Sequence, residues 1–196
     1  MFTYQLMTFG GDCFGFFFIS HYIESITGLV ISLQAQDTRW EDISILSSKP
    51  LIRAPGGVQR CDSVLNALHC LQKHPLVNIE TDWVMVHDAV RPCIRESDIC
   101  HLIEEVGNTV DGGLLALPVR DTMKRQRSDQ PSVHKTVERE GLWHALTPQY
   151  FPLQQLQQAL EDAISTHRII TDEASAMEQA GYSPILVNGH EDNIKI

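Results

Sequence analysis

The stretch DWVMVHDA, residues 82–89, sets the fold class, because it is a short apolar run that ends on a charged side chain. Its residues 83–86 are all apolar, which is typical of a strand buried on both faces of a parallel sheet. Comparable runs recur along the chain: TGLVISL (27–33), PLIRA (50–54), GGLLALPV (112–119) and PILVN (184–188). We therefore predict a sheet built from several buried strands.

Helical patterns lie between these strands. In RCDSVLNALHCLQKH (60–74), apolar residues return at the spacing of one helix face: Val64, Ala67, Leu68 and Leu71. A second helix is predicted from an N-cap at Ser97 to Gly107, and two more follow, one starting near Leu153 and one over 172–180. Strands that alternate with helices predict an α/β fold, with a mostly parallel sheet and helices on both faces.

The composition bounds the class of protein. At 196 residues and 43% hydrophobic content, the chain is predicted to form one domain, 1–196, with a sizeable core. Its 25 acidic and 15 basic residues give a net charge of -10, which repels a phosphate polymer, so we expect no nucleic acid partner. The five cysteines form no C-x-x-C pair, which favours reduced thiols in the cytoplasm.

The first segment, MFTYQLMTFGGDCFGFFFIS, is apolar but has no Lys or Arg before Arg39. It lacks the basic start of a signal peptide and is too short to span a bilayer, so we expect a soluble protein without membrane contact. Residues 1–26 are nevertheless atypical of a domain start, and the chain stops at NIKI directly after a strand-like segment. Two explanations stay open: the chain is a fragment, or its start is altered.

Asp88 is the first candidate for chemistry, because it follows an apolar strand and ligands of open α/β sheets bind beyond the carboxyl ends of the strands. A carboxylate there suits Mg²⁺, although a strand-terminating Asp also commonly caps a turn. Arg91 could hold a phosphate in a bidentate pair or be a solvated loop residue. His87 has no second His or Cys at metal spacing, so we expect a packed neighbour.

Weaker signals lie elsewhere. Gly56 and Gly57 precede a helix and could let backbone approach a ligand, but turns need glycine anyway. Thr171 is predicted to be the N-cap of a helix, where phosphate could also bind. Lys195 alone indicates nothing. The common motifs of P-loop NTPases, α/β-hydrolases and zinc proteases do not occur.

Taken together and in order, seven strings resemble one family: GGVQRCDSV, VMVHDAVRPC, LALPVRDTMKR, TVERE, GLWHALTPQ, ITDEASAMEQAGY and DNIKI. They resemble the 2-C-methyl-D-erythritol 4-phosphate cytidylyltransferases of the non-mevalonate isoprenoid pathway, and the likeness covers residues 27–196. The resemblance implies a Rossmann-like nucleotidyltransferase fold that uses CTP and Mg²⁺. The phosphate of methylerythritol phosphate attacks the α-phosphorus, and pyrophosphate leaves.

The resemblance also implies roles for single residues. Asp88 falls on the metal-binding carboxylate, and Asp88 and Lys195 fall on the catalytic positions. The positions that hold the methylerythritol phosphate match Ala89, Arg91, Thr122, Arg139, Thr147, Thr171 and Lys195. The nucleotide-side positions match Gly57, Arg60, Ser63 and Asp88.

The polar stretch 120–140 has no apolar face, and it matches an arm that the family extends into a partner subunit. The resemblance therefore implies a homodimer in which 120–140 is the dimerisation arm and Arg139 serves the neighbouring site.

One departure from the family concerns the N-terminus. The family begins with a strand and a glycine-rich loop, P-A-A-G-x-G-x-R-M, whose amides and cations hold the triphosphate, and residues 1–26 show neither. Gly10-Gly11 is no substitute, and the closing helix after DNIKI is also absent. We expect a missing first strand, an unpaired sheet edge, weak CTP binding and negligible turnover. The alternatives left open are a truncated or degenerate non-catalytic homologue, and a cytidylyltransferase for another pentitol phosphate.

Overall fold

The computed structural model describes residues 3–8, 23–37 and 48–196, the first of these ranges by its backbone alone. The strands are β1 (Thr3–Thr8), β2 (Ile26–Leu33), β3 (Leu51–Pro55), β4 (Trp83–Asp88), β5 (Gly113–Pro118), β6 (Met123–Gln126), β7 (Val133–Val137), β8 (Trp143–Pro152) and β9 (Ile185–Asn188). The helices are α1 (Arg60–Gln72), α2 (Glu96–Val106), α3 (Leu153–Ser165) and α4 (Glu173–Gln179).

Seven strands form one sheet in the order β3-β2-β1-β4-β8-β5-β9. The pairs β2–β3, β1–β2, β1–β4 and β5–β9 are parallel, and β8 alone among these runs antiparallel to its neighbours β4 and β5. The mostly parallel α/β sheet predicted from the apolar runs is confirmed. The sequence pattern missed β8, in which Trp143 is half-buried, residues 144–145 are exposed and residues 146–152 are buried.

The expectation of a missing first strand is wrong. Residues Thr3–Thr8 pair in parallel with β2 on one side and β4 on the other, so β1 lies inside the sheet. The run TYQLMT mixes polar and apolar side chains without a clear period, and the two parallel neighbours supply the backbone partners that the pattern does not reveal. The family's glycine-rich loop would follow this strand, and the sequence predicts that it is absent. Residues 9–22, with Gly10-Gly11, lie outside the described residues, so that absence stays a prediction.

Helices cover both faces of the sheet, as predicted. On one face α1, α3 and α4 pack against Val84, Val86 and Phe151 through a cluster that includes Leu68, Leu71, Leu156, Leu160 and Met177. On the other face α2 packs through Ile99, Leu102 and Val106 against Met85, Leu115 and Tyr150. Because alternate residues of β4 point to opposite faces, both clusters anchor the strand that carries Asp88. Burial of each such side chain is worth roughly 1.5–3 kcal/mol.

The start of α2 differs from the prediction. Arg95 is the N-cap residue and Glu96 begins the helix, so Ser97 lies in its first turn, and the expected Ser97 cap is wrong. The carboxylates of Glu96 and Asp98 in that turn favour the helix start through its dipole without a side-chain cap. The predicted end is confirmed, because Gly107 is the C-cap with φ 56.

The segment around 120–140 contains the two-stranded antiparallel sheet β6–β7, which is separate from the main sheet. Its strand residues are exposed except for Val137. Among the described residues, no helix combines the length and apolarity that crossing a membrane requires.

Candidate active site

The topology places Asp88 at the switch point of the sheet. From β1 the chain builds outward through β2 and β3 on one side, whereas β4 lies on the other side of β1. The carboxyl ends of the parallel strands β1 and β4 therefore border the crevice where open α/β sheets bind ligands. Asp88 is the last residue of β4 and pairs in register with Thr8 at the end of β1.

Cations surround the Asp88 carboxylate. Arg60 Nε donates to Oδ1 over 2.9 Å, Lys195 Nζ donates to Oδ2 over 3.2 Å, and Arg91 Nε lies 4.0 Å from Oδ2. Burial works against ionisation of Asp88, but Arg60 and Lys195 together hold its pKa below the ordinary value. Asp88 is therefore an anion at neutral pH, and three residues far apart in the sequence meet at it.

Glu173 is a second carboxylate of this site, and the sequence analysis missed it. Its side chain is 1% exposed in the first turn of α4. It accepts two hydrogen bonds from Arg60, from Nη1 over 2.5 Å and from Nη2 over 2.9 Å. Burial raises the pKa of Glu173 against the opposing effect of Arg60. Burial also works against the charge of Arg60, but Glu173 and Asp88 raise its pKa above the usual value.

His87 is fully buried and holds the backbone between Asp88 and Arg91 in place, as expected of a packed neighbour. Its Nε2 lies 3.0 Å from the Arg91 carbonyl oxygen, which can only accept, so Nε2 carries the proton. Burial lowers the pKa of His87 to about 4, so Nδ1 accepts the Thr147 hydroxyl hydrogen over 3.0 Å at neutral pH. Thr147 Oγ1 in turn accepts the Asp88 backbone N–H over 3.1 Å.

Asn193 anchors the C-terminal segment that carries Lys195. Asn193 is 2% exposed, and its side-chain amide donates to the Thr147 carbonyl over 2.8 Å. The Asn193 backbone carbonyl accepts from Arg91 Nη1 over 2.7 Å. The Ile196 N–H donates to the Val90 carbonyl over 2.9 Å. These bonds hold Lys195 beside Asp88. Arg91 Nε is buried and has no hydrogen-bond partner within the described part of the chain, which leaves it as a donor for a ligand.

The predicted nucleotide-side residues lie at the start of α1. Gly57 N–H donates to Ser63 Oγ over 2.9 Å, and Ser63 Oγ donates to the Gln59 carbonyl over 3.2 Å. A Cβ on Gly57 would lie 2.2 Å from the Asp62 Cβ, so the close approach to the helix itself requires glycine here. Gly57, Arg60 and Ser63 are thus brought together, and Arg60 links them to Asp88.

Thr171 is not the N-cap of α4, contrary to the prediction, because Asp172 takes that position and accepts the Ser175 N–H over 2.9 Å. Thr and Asp both cap helices, and the side chain that reaches the free N–H decides between them. Thr171 is exposed directly before the cap. Gln149, buried in β8, also holds this helix start, because it donates to Asp172 Oδ2 over 2.9 Å and accepts from the Ala174 N–H over 2.8 Å.

The remaining predicted residues divide into two groups. Ala89 is buried directly after Asp88. Thr122 and Arg139 are exposed at the two ends of the β6–β7 hairpin. Within the described residues, no hydrogen bond or ion pair joins either of them to the group around Asp88.

The residues around Asp88 offer Mg²⁺ a single carboxylate among several cations. Among the residues described, no three His, Cys, Asp or Glu side chains form a group that could hold a metal ion. Nucleotide enzymes bind Mg²⁺ with one or two carboxylates plus phosphate oxygens, and Asp88 supplies one such carboxylate. Arg60, Arg91 and Lys195 repel a bare cation, so the residues fit a Mg²⁺ ion that arrives with phosphate.

Three cations against two carboxylates make the site locally positive on a chain of net charge -10. Such a site attracts a phosphorylated ligand although the whole protein does not. The arrangement can hold two phosphate groups beside a carboxylate, which suits transfer of a phosphate-linked group.

Comparisons with known proteins agree with this chemistry. A family model described as 2-C-methyl-D-erythritol 4-phosphate cytidylyltransferase matches residues 18–196. The protein of that name from Photorhabdus laumondii is 49% identical over 176 residues, covering 87% of this chain and 71% of the relative. The one from Vibrio vulnificus is 48% identical over 172 residues, covering 88% of this chain and 71% of the relative.

A crystal structure of 4-diphosphocytidyl-2C-methyl-D-erythritol synthase matches with a TM-score of 0.86 and 32% identity, over 100% of this chain and 92% of the other. The family match covers β2 to β9, the cluster around Asp88 and the C-terminal segment. The chain therefore belongs to the 2-C-methyl-D-erythritol 4-phosphate cytidylyltransferase family.

Proposed function

We propose that this protein transfers CMP from CTP to 2-C-methyl-D-erythritol 4-phosphate, giving 4-diphosphocytidyl-2-C-methyl-D-erythritol and pyrophosphate in isoprenoid precursor synthesis. The observation that carries the proposal is the convergence of Arg60, Arg91 and Lys195 on Asp88 at the switch point of the sheet. Family membership names the reaction, and the cluster supplies charge where two phosphate groups must meet.

In this proposal a phosphate oxygen of the sugar alcohol attacks the α-phosphorus of CTP. A new P–O bond forms, the bond from the α-phosphorus to the bridging oxygen breaks, and pyrophosphate leaves with that electron pair. No general base is required, because the nucleophile is already an anion. The buried neutral His87 accordingly serves the turn geometry and not proton transfer.

The cations orient the two phosphates and stabilise the charge that spreads over the α-phosphate oxygens. Arg91 Nε has no hydrogen-bond partner among the residues that the structure describes, and Lys195 is 57% exposed and uses one donor on Asp88. Preorganised donors of this kind are typically worth about 10²–10³ in rate each. Ala89, Thr147 and Thr171 line the sugar-phosphate side in this scheme, and Gly57 and Ser63 the cytidine side.

Mg²⁺ is part of the proposal, with Asp88 and nucleotide phosphate oxygens as its ligands. When bound, it neutralises charge on the triphosphate. Arg60 and Lys195 each donate to one Asp88 oxygen, and each oxygen keeps a further lone pair that would be available to the ion.

We further propose that the protein acts as a cytoplasmic homodimer, in which the β6–β7 hairpin reaches the partner and brings Thr122 and Arg139 to its site. Two features support this: the hairpin is exposed, and neither residue contacts the described cluster of its own chain. The cysteine pattern supports the cytoplasm.

A substrate panel tests the proposed function. The chain is incubated with CTP, Mg²⁺ and one of three acceptors: methylerythritol phosphate, ribitol 5-phosphate or erythritol 4-phosphate. We expect pyrophosphate release at least tenfold faster with methylerythritol phosphate than with the other two, since each well-placed methyl or hydroxyl contact changes the rate by about that factor. Equal or faster release with another pentitol phosphate would assign a different acceptor.

A further inference from the structure

The buried carboxylate of Glu173 has no role in the reaction described above. It is 1% exposed, and Arg60 is its hydrogen-bond partner. A buried ion pair is weak evidence for stability, because apolar residues of similar size often stabilise a fold as well. The pair is therefore better explained by the side chain that it holds in place.

The geometry of the pair restrains Arg60 at two points. Nη1 and Nη2 each donate to one oxygen of Glu173, and Nε donates to Asp88. A guanidinium group is planar and its donors have fixed directions, so three such bonds leave it a single orientation. Without Glu173, the contact to Asp88 alone would allow rotation about the Nε–H···O axis.

Glu173 also connects two helix starts. Arg60 opens α1, next to Gly57 and Ser63, whereas Glu173 opens α4, next to Thr171. Gln149 fixes the start of α4 to β8 through its bonds to Asp172 and to the Ala174 N–H. Through Glu173 and the start of α4, the Arg60 guanidinium is held in a fixed orientation relative to the sheet.

We propose that Glu173 is a positioning residue, which holds the Arg60 guanidinium in the orientation that receives the nucleotide. The proposal rests on the proposed function for the identity of the nucleotide, but not for the immobilisation of Arg60. It extends the site to a residue more than a hundred positions from Arg60 in the sequence.

Positioning and simple charge predict opposite changes in CTP affinity. If Glu173 contributed only negative charge, its neutralisation would make the site more positive, and CTP would bind more tightly. If Glu173 positions Arg60, its loss lowers the fraction of molecules with Arg60 in the competent orientation. The apparent dissociation constant rises by the inverse of that fraction, on the order of tenfold for a competent fraction of about a tenth.

The experiment uses the intact chain labelled with ¹⁵N and two variants. Glu173→Gln keeps the size of the side chain and removes its charge, whereas Glu173→Asp keeps the charge and shortens the reach. Glu178→Gln, exposed on the same helix, is the matched control. The Arg60 Nη–H resonances, whose donors face Glu173, are followed without ligand. CTP with Mg²⁺ is then titrated into the same samples, and this titration also detects millimolar binding.

We expect both Glu173 variants to lose slow exchange of the Arg60 Nη–H resonance and to bind CTP about tenfold more weakly, with Glu178→Gln unchanged. Arg60→Lys, which keeps the charge without the two-point contact, gives the same loss of affinity should the Glu173 variants not fold. An Arg60 resonance that is equally protected in both Glu173 variants would overturn the proposal whatever the titration gives. Wild-type chain that does not bind CTP would instead refute the proposed function.

Discussion

Replacement of Asp88 by Asn removes one charge and changes almost no volume. Asp88 accepts one hydrogen bond on each oxygen, from Arg60 over 2.9 Å and from Lys195 over 3.2 Å. Asn offers one carbonyl oxygen and one amide group that can only donate, so at most one of the two contacts survives. The other cation then faces a donor, and the proposed metal ligand is gone.

The structure sets the size of the expected loss. A hydrogen bond to a charged group is worth about 1.5–3 kcal/mol. The hydrogen bond to Arg60 contributes its full energy, because the Asp88 side chain is 10% exposed. The bond to Lys195 contributes less, because Lys195 is 57% exposed and water screens its charge. Together with the loss of a metal ligand, a reduction in turnover on the order of 10³, about 4 kcal/mol, is expected.

The assay is single-turnover formation of the cytidylyl product at saturating Mg²⁺, with enzyme in excess so that slow rates can be measured. Asp162→Asn, exposed on α3, is the control and keeps the parental rate. The thermal midpoint of Asp88→Asn is measured in parallel, and we expect it within a few degrees of the parent, since about 2–4 °C corresponds to each kcal/mol. Turnover within tenfold of the parent would refute the role of Asp88.

Three further predictions follow from the hairpin, the N-terminus and His87. If the β6–β7 hairpin completes the partner site, a mixture of Asp88→Asn and Arg139→Ala regains up to about a quarter of parental activity, because half of the exchanged dimers carry one intact site; no regain after verified exchange argues against the swap. Replacing residues 9–17 by P-A-A-G-x-G-x-R-M raises turnover by about 10²–10³ if loop amides and its Arg hold the triphosphate, and an unchanged rate contradicts that account. The folded-state pKa of His87 lies near 4, below its unfolded value, so its contribution to stability is complete above pH 6.5 and is lost as pH falls towards 4. In metal-free buffer the free energy of unfolding of the parent should drop by about 3 kcal/mol over that interval. The drop should be smaller in His87→Gln, and in the exposed control His101→Gln it should equal that of the parent.

The main elements of the fold could be predicted because their patterns are local. The apolar faces of α1 and α3 and the continuous apolar run of β4 are visible in any short window of the sequence. The pattern failed for β1 and β8, since their pairing partners lie far away in the chain and supply what their own residues do not show. The Ser97 and Thr171 caps were each misplaced because several neighbouring side chains can start a helix.

In the candidate site, too, some residues have a local signal in the sequence and others do not. Asp88 and Arg91 were found because a charged residue after an apolar strand is a local signal. Their connection to Lys195 depends on a buried Asn193 more than a hundred residues beyond Arg91, and no spacing rule predicts it. Glu173 was hidden because an acidic residue in a first helix turn is ordinary, and only the fold shows that this one faces Arg60.

One labelling experiment tests the central claim most directly. CTP labelled with ³²P at the α-phosphorus is incubated with Mg²⁺, methylerythritol phosphate and an excess of the protein, and the products are separated. The label is predicted to move into a diphosphocytidyl-methylerythritol product, with unlabelled pyrophosphate released in equal amount. Label that stays in CTP, or appears in CMP without joining the sugar alcohol phosphate, would contradict the assignment of this site to cytidylyl transfer.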